Sequence, residues 1–524
     1  MTGTIGGLLK DQAAERGEHP FLVCDDERVS YAALEELSRE RARGLVAAGA
    51  GRGAHVGILM PNGAQMVITA LAALRIGAVA LPFSTFSTVT ELRQLIDRSD
   101  AELLVAVGEH RGHRFDVDVP AAIGASLTDP PPLRSTTCPN LRRVLFHRGI
   151  APSHGDWKLA AAALDADRVG DDLLDALEAD VHPSDDAVIV HTSGSTSAPK
   201  GVVHTHGALL DHLRVLNDLR SYGPDEVLFS NSPFFWIGGF AYTLLGTLLA
   251  GATLVCSNAV DASEVLDVIE RERPTMTNGY ASAISHLAAD PSFAARDLSF
   301  LKRGNLYPIM PAHLRPADPQ LRTNMLGLTE AGSVALSGPD ERDLDEQLRG
   351  SFGRPTADAE ARIVDGDRDC AAGETGELWL RGPLMMRGYY GVERERAFDA
   401  DGWFHTGDLF RRDAADHWYF EGRAGDVIKT SGANVSPAEV EGVILAAGLT
   451  SYVVGVPDPA RGHVVGAVLV AADDVDVESL RARLKQELSA YKVPKLFVNV
   501  APGSVPLLSS GKVDRQALVG MFDV

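Results

Sequence analysis

The sequence predicts an α/β protein: a large N-terminal domain of layered α/β sheets with a β-rich portion, followed by a small α+β domain at the C-terminus. Three observations carry this prediction. Between Tyr31 and Val105 helical stretches alternate with short β-rich runs. A strand-like segment at 187–190 then leads through a Gly/Ser/Thr loop into an amphipathic helix, and over the last hundred or so residues the pattern changes again. Alternation of the two periods is what a sheet covered by helices requires.

Taken in order, "YAALEELSRERARGLVAAG", "GAQMVITALAALRIG" and "TELRQLIDRSD" have helical spacing, and "HVGILM" and "AELLVAV" between and after them read as buried strands. From 112 to 183 the signal weakens into Pro-rich and acidic segments, read as a solvated connection. "AVIV", the loop "HTSGSTSAPKG" and "GALLDHLRVLNDL" then give strand, loop and helix. This places the loop beyond the carboxyl end of a strand, where open α/β sheets bind ligands. "ARIVD", "GELWLRG" and "HWYFEGR" form the β-rich portion. "SPAEVEGVILAAG", "SYVVGVPD", "HVVGAVLVAAD" and "DVESLRARLKQELSA" make up the small domain.

Composition narrows the function. With 524 residues the chain exceeds one ordinary core. Its charged fraction of 23% and hydrophobic fraction of 45% are globular values. A net charge of −22 without a basic patch argues against nucleic acid or an anionic membrane as partner. The N-terminus lacks an export signal, and the most apolar run is broken by Arg75, Gly77 and Pro82, so a cytoplasmic protein without a membrane span is expected. Cys24, Cys138, Cys256 and Cys370 lie far apart with no CxxC pair, which fits reduced buried thiols.

The loop at 191–201 combines glycines that admit a close ligand, hydroxyl and N–H donors, and the cation of Lys200, as an anion cradle would. Its spacing is not that of the GxxxxGK[ST] P-loop. His204 and His206 form an H-x-H that two-ligand zinc sites also use, but a turn into a helix is the simpler reading.

Six segments in order, "TSGSTSAPKG" (192–201), "GLTE" (327–330), "GELWLRG" (376–382), "GWFHTGDL" (402–409), "GRAGDVIKTSGANVSPAEVE" (422–441) and "SSGKVDR" (509–515), make the chain resemble the adenylate-forming enzymes, which include acyl-CoA synthetases. The resemblance spans nearly the whole chain. It implies AMP-forming activation of a carboxylic acid by ATP through an acyl-adenylate, with Mg2+, and transfer of the acyl group to coenzyme A. By that resemblance Thr192, Ser193, Gly194, Ser195, Thr196 and Lys200 cradle phosphate, with Gly327 and Thr329 also at the nucleotide. Glu330 is the magnesium ligand, Asp408 and Arg423 hold the ribose, and Lys512 is the catalytic lysine of adenylation. The resemblance also divides the chain into 1–424 and a mobile 425–524, hinged at Gly425, where the family often carries Asp or Lys. After rotation Lys429, Ser431 and Gly432 would face the site and serve coenzyme A while Lys512 withdraws.

For the acid, "NSPFFWIGGFAYTL" matches the family's acyl pocket wall, implying Phe235, Trp236, Gly238, Gly239 and Gly304 as its lining. Phe234, Phe235 and Trp236 stand where peptide-synthetase domains commonly carry an aspartate, so a bulky apolar acid is favoured over an amino acid. Four departures cluster at the nucleotide: Ser197 for Gly, Leu326 for an aromatic residue, Trp236 for His, and "RGNLYPIMPAHL" at 303–314 with Leu306 and Tyr307 in a small-residue wall. They raise an alternative, an enzyme impaired in adenylation that thioesterifies an acyl-adenylate supplied by a separate adenylating enzyme. Loading a carrier protein and silent acid binding are further alternatives.

Overall fold

The strands of the first sheet gather side by side because each is an unbroken apolar run flanked by helices, the pattern of strands buried on both faces. The structure, a computed structural model, describes residues 3–127, 132–147, 165–192, 199–318, 321–338, 343–423, 428–506 and 513–522. Five parallel strands, Asp186–Thr192, Val79–Pro82, His55–Leu59, Leu103–Ala106 and Arg143–Phe146, lie in that spatial order. Lys200–Thr205 and Gly388–Tyr389 extend one edge antiparallel. A second sheet runs Arg303–Gly304, Met276–Asn278, Val227–Ser230, Thr253–Cys256 and Pro20–Cys24, all parallel, and ends on the antiparallel Glu27–Ser30.

The main core lies between these sheets, where apolar residues of both pack with the helices Ile5–Arg16, Tyr31–Ala47, Ala64–Arg75 and His206–Leu219. Ala64–Arg75 is apolar almost all round, and every residue in it except Gln65 is buried. Arg75 ends this helix fully buried, donating to Glu35 Oε1 (2.6 Å), Ser38 Oγ (2.6 Å) and Glu178 Oε1 (2.7 Å).

Glu178 belongs to the helix Asp171–Ala179, inside the stretch expected to be a solvated connection. That expectation is corrected. The described part of 112–183 also supplies the helix Phe115–Ile123 and the edge strand Arg143–Phe146, whose apolar residues join a second core. Polar composition concealed them because the helices bury one side only and the strand is a run of four residues. A second correction concerns the Gly/Ser/Thr loop. It does not lead into a helix: it closes a hairpin, with Lys200 paired to Thr192, and the helix His206–Leu219 follows the returning strand, capped by Thr205.

The β-rich portion is a five-stranded antiparallel sheet ordered Arg368–Asp369, Glu360–Asp365, Thr375–Arg381, Phe404–Arg412, Trp418–Arg423, beside a three-stranded one. In the C-terminal part, Ala433–Val435, Ile428–Thr430, Gly462–Val470 and Thr450–Asp458 form an antiparallel sheet that Leu496–Val500 joins in parallel. The helices Pro437–Ala446 and Val477–Glu487 cover one of its faces. All four cysteines are buried and unbonded, and no described helix is long and apolar enough to cross a membrane.

Removing one partner of a buried ion network leaves the others uncompensated. Arg75→Met should therefore lower unfolding free energy in urea by about 3 kcal/mol.

Candidate functional site

A cavity of about 1000 Å³ opens at the carboxyl ends of the parallel strands, walled by the β-rich portion and by the hairpin that begins at Ile428. Thr192 and Lys200 stand at its edge, where the hairpin strands end. Ser193, Gly194, Ser195, Thr196 and Ser197 lie outside the described residues, as do Gly425 and Lys512. The Lys200 ammonium sits 4.9 Å from the Tyr389 ring centroid, within cation–π range. The Tyr389 hydroxyl donates to Glu330 Oε1 at 2.8 Å. One tyrosine thus bridges a cation and a carboxylate 130 positions apart in sequence, a residue that the reading of motifs missed. The aromatic pair "YY" within the polar turn "MRGYYG" is its only trace.

Thr329 and Glu330 begin a short turn after the strand Leu326–Leu328, and the backbone on both sides is anchored. The Met386 N–H donates to the Glu330 carbonyl (2.7 Å), and His204 Nε2 lies 2.7 Å from the Thr329 carbonyl. A carbonyl only accepts, so Nε2 carries the proton. Burial pushes the His204 pKa down to about 4, which keeps the ring neutral. His206 faces elsewhere: its Nδ1 accepts from the Ile5 N–H at 3.3 Å. The two imidazoles of the H-x-H are each engaged by a different backbone group, and the zinc reading falls.

Asp408 owes its place to its turn. Thr406 Oγ1 donates to the Leu378 carbonyl (2.7 Å) and accepts from the Asp408 N–H (3.0 Å). Gly407, at φ +72°, donates its N–H to Glu377 Oε1 (2.8 Å), and Trp379 Nε1 holds the other Glu377 oxygen (3.1 Å). The Asp408 carboxylate is thereby held at the cavity wall with 3% exposure. The backbone of Arg423 pairs with Asp408 on the adjacent strand.

One arm of the cavity is aromatic. Phe235 packs edge-on against Trp236 (5.5 Å between centroids), and Trp236 against Tyr280 (5.6 Å). The Gly279–Tyr280 peptide is fixed from both sides by residues that the motifs did not reveal. Asn231 Nδ2 donates to the Tyr280 carbonyl (3.0 Å) and its Oδ1 accepts from the Tyr280 N–H (2.9 Å). Asn305 makes the same pair of bonds to Gly279 (2.9 and 3.0 Å). Gly238, Leu326 and Gly327 line the cavity, but Gly239 and Gly304 do not. A Cβ on Gly239 would meet the Pro233 carbonyl oxygen at 1.9 Å, and one on Gly304 the Thr277 carbonyl oxygen at 2.1 Å, so both are glycine for backbone packing. Leu306 points into the apolar core and Tyr307 also lies off the cavity, so neither narrows a nucleotide wall.

The hairpin Ile428–Thr430 to Ala433–Val435 closes the cavity from the small domain. Its two turn residues, Ser431 (φ +48°) and Gly432 (φ +84°), both have left-handed backbone, as a tight two-residue hairpin demands. Gly432 is pressed so closely on Tyr280 that a Cβ would fall 2.1 Å from the ring. Lys429 lines the cavity, its ammonium 5.4 Å from the Phe420 ring centroid.

This architecture is that of the adenylate-forming enzymes. The AMP-binding enzyme family matches residues 9–390 and its C-terminal domain residues 439–512, and the chain belongs to that family of acyl-CoA synthetases. It is 29% identical to sulfoacetate–CoA ligase of Cupriavidus necator, over 98% of this chain and 97% of that protein. It is 32% identical to feruloyl-CoA synthase of an Amycolatopsis species, over 93% and 92%. Among solved structures, the amide bond synthetase McbA of Marinactinospora thermotolerans superposes with a TM-score of 0.79 at 26% identity, covering 99% of this chain and 100% of that one.

Burial holds the pKa of His191, His204 and His206 down at about 4, against an ordinary 6.5. A proton therefore binds the unfolded chain first, and stability present above pH 6.5 is lost as pH falls toward 4. Urea midpoints should drop steeply between pH 7 and pH 5, and His206→Gln should flatten that slope by close to one proton.

Proposed function

We propose that this chain is an acyl-CoA ligase that activates a bulky apolar carboxylic acid. The observation that carries the acid class is the aromatic arm: among the described residues Phe235, Trp236, Ile237, Gly238, Tyr242 and Tyr280 line it, none of them charged, and the guanidinium of Arg220 stacks on the Tyr242 ring without lining the cavity. A sulfonate or a second carboxylate buried there would lack a counter-charge, whereas an aromatic ring would find edges and faces to pack against. Relatives named for acids as different as sulfoacetate and ferulate do not decide the acid, so the arm's chemistry is the better guide.

In the first step the acid's carboxylate oxygen attacks the α-phosphorus of ATP, forming the acyl-adenylate and expelling pyrophosphate. Lys200 offsets phosphate charge, Thr329 donates to the α-phosphate, and Asp408 accepts from the ribose hydroxyls. Glu330 presents one hard oxygen ligand at the cavity, which suits magnesium shared with phosphates and water. Magnesium bound there supplies charge neutralisation of the phosphates. Lys512 is assigned to this step through its motif, with Arg423 at the ribose. In the second step the thiolate of coenzyme A attacks the acyl carbonyl and AMP leaves. Lys429, Ser431 and Gly432 form the wall past which the thiol arrives.

Both steps are assigned to this chain because Lys200 and Glu330 stand at the cavity while Leu306 and Tyr307 stand off it. The case for an enzyme reduced to the second step is weaker for that reason. The full-length likeness to an amide bond synthetase favours one competing acceptor, an amine.

The test is product formation by mass spectrometry with ferulic, 4-coumaric, 3-hydroxybenzoic and sulfoacetic acids. Each is supplied with ATP and Mg2+ and, in parallel, as its preformed adenylate, with coenzyme A or an aryl amine as acceptor. Thioesters of the aromatic acids by both routes are expected, with sulfoacetate at least tenfold slower. Product from the adenylates alone would refute the two-step reading, and amide in place of thioester would refute the acceptor. Asp408→Asn weakens a charge-assisted contact of roughly 1.5–3 kcal/mol, so kcat/KM for ATP should fall ten- to hundredfold.

A further inference from the structure

Between the two domains, where Glu91, Ser489 and Lys492 line one stretch of the same cavity, lies a buried cluster of three charges. Glu91 is the third residue of the helix Val89–Arg98 in the large domain and completes a capping box with Thr88. Its carboxylate receives five donors: the Thr88 N–H (2.9 Å) and hydroxyl (3.2 Å), and from the small domain the Ser489 N–H (3.2 Å), the Ser489 hydroxyl and Lys492 Nζ (2.8 Å). The same ammonium donates to Glu439 Oε1 at 2.9 Å. Glu439 is likewise the third residue of its helix, Pro437–Ala446, which begins directly after the hairpin that closes the cavity. Lys492 and both glutamates are at least nine-tenths buried by residue.

The arrangement divides cleanly. If the domains part, Lys492 and Glu439 leave together as a neutral pair, and Glu91 keeps its capping box and gains water. Neither half is left with an orphaned buried charge, which is the usual cost of breaking such a cluster. When the domains meet with the hairpin at the cavity, Glu91 gains an ammonium and two serine donors. Burial alone would raise the Glu91 pKa, and Lys492 overrides it and holds the carboxyl low. Glu439, which shares that cation, stays raised by burial.

We propose that Glu91 and Lys492 are positioning residues for thioester formation: their ion pair is a releasable latch that holds the small domain with the Lys429–Gly432 hairpin at the cavity. The proposal rests on the two-step reading above. Both residues line the cavity, but the carboxylate and the ammonium are engaged by each other, Thr88, Ser489 and Glu439 rather than free for a ligand, so the latch acts on one half-reaction and leaves the other alone.

Two measurements test it. The first needs no substrate assignment. Val260 and Leu445 are 77% and 63% exposed, one on each domain, and the native cysteines are all buried. Spin labels on Val260→Cys and Leu445→Cys report the interdomain distance by pulsed electron resonance, with coenzyme A as the probe. The parent protein should show the separation of this structure as its main component. Glu91→Gln, which preserves the capping box, and Lys492→Met should each reduce that component at least threefold. Glu439→Gln, whose partner is on its own domain, should reduce it far less. An unchanged distribution in Glu91→Gln, or a parent protein that never shows this separation, would overturn the latch.

The second measurement separates the half-reactions, with feruloyl-adenylate plus coenzyme A for one and ferulate-dependent pyrophosphate release for the other. Each single variant should slow thioester formation at least tenfold, the double variant no further, and pyrophosphate release should stay within twofold. If Lys492→Met slows both half-reactions and Glu91→Gln neither, Lys492 is a substrate contact and the latch is wrong. If the parent turns over neither probe, the choice of acid fails, and the distance measurement alone decides the latch.

Discussion

Parallel register is the constraint from which the rest of this molecule follows. Strands that all run one way place their carboxyl ends along one edge, where the chain must leave the sheet and loops are free to carry polar groups. Here two such sheets deliver their edges to the same cavity: Thr192 from the first, and Asn278 and the Gly279–Tyr280 peptide from the second. The core between the sheets fixes the spacing of those edges, so helices such as Ala64–Arg75, remote from the chemistry, still set the width of the site. The antiparallel β-rich portion adds the side that a parallel sheet cannot, bringing Asp408 across from the strand ends.

Around the cavity, turns are held by hydrogen bonds to their backbone, some from residues behind the wall and some from residues in it. His204 and Met386 pin the backbone of Thr329 and Glu330, Glu377 and Thr406 shape the turn before Asp408, and Asn231 and Asn305 grip Gly279 and Tyr280. Each is a polar group spent on backbone, which leaves the cavity-facing groups oriented before any ligand arrives. Preorganisation of this kind is what makes fixed dipoles effective against charge that develops in a reaction.

Much of this was legible in the sequence, for identifiable reasons. Helical and strand periods gave the alternating elements of 31–105 and the small domain, because amphipathic spacing is a local property. Motifs gave Thr192, Lys200, Glu330, Asp408 and Lys429, which the fold brings to one cavity. What stayed hidden was long-range or one-sided. The four-residue strand Arg143–Phe146 is too short a run to stand out from its Pro-rich and acidic surroundings, and the helix Asp171–Ala179 buries little but Leu174. Tyr389, Asn231 and Asn305 act through partners far away or through backbone, which no spacing announces. Gly239 and Gly304 were misread as ligand-facing, although glycine serves equally where two backbones touch.

The contact between Gly432 and Tyr280 has a consequence for fidelity. The same ring that meets the hairpin also leans on Trp236, so under the function proposed above the wall that would gauge the acid and the surface that meets the small domain share one side chain. An ill-fitting acid that tilts Tyr280 would be penalised once when it is activated and again when the hairpin tries to seat. Selectivities at successive steps multiply, so under that reading modest discrimination at each combines into strict choice of acid, as in a two-stage filter built from a single aromatic ring.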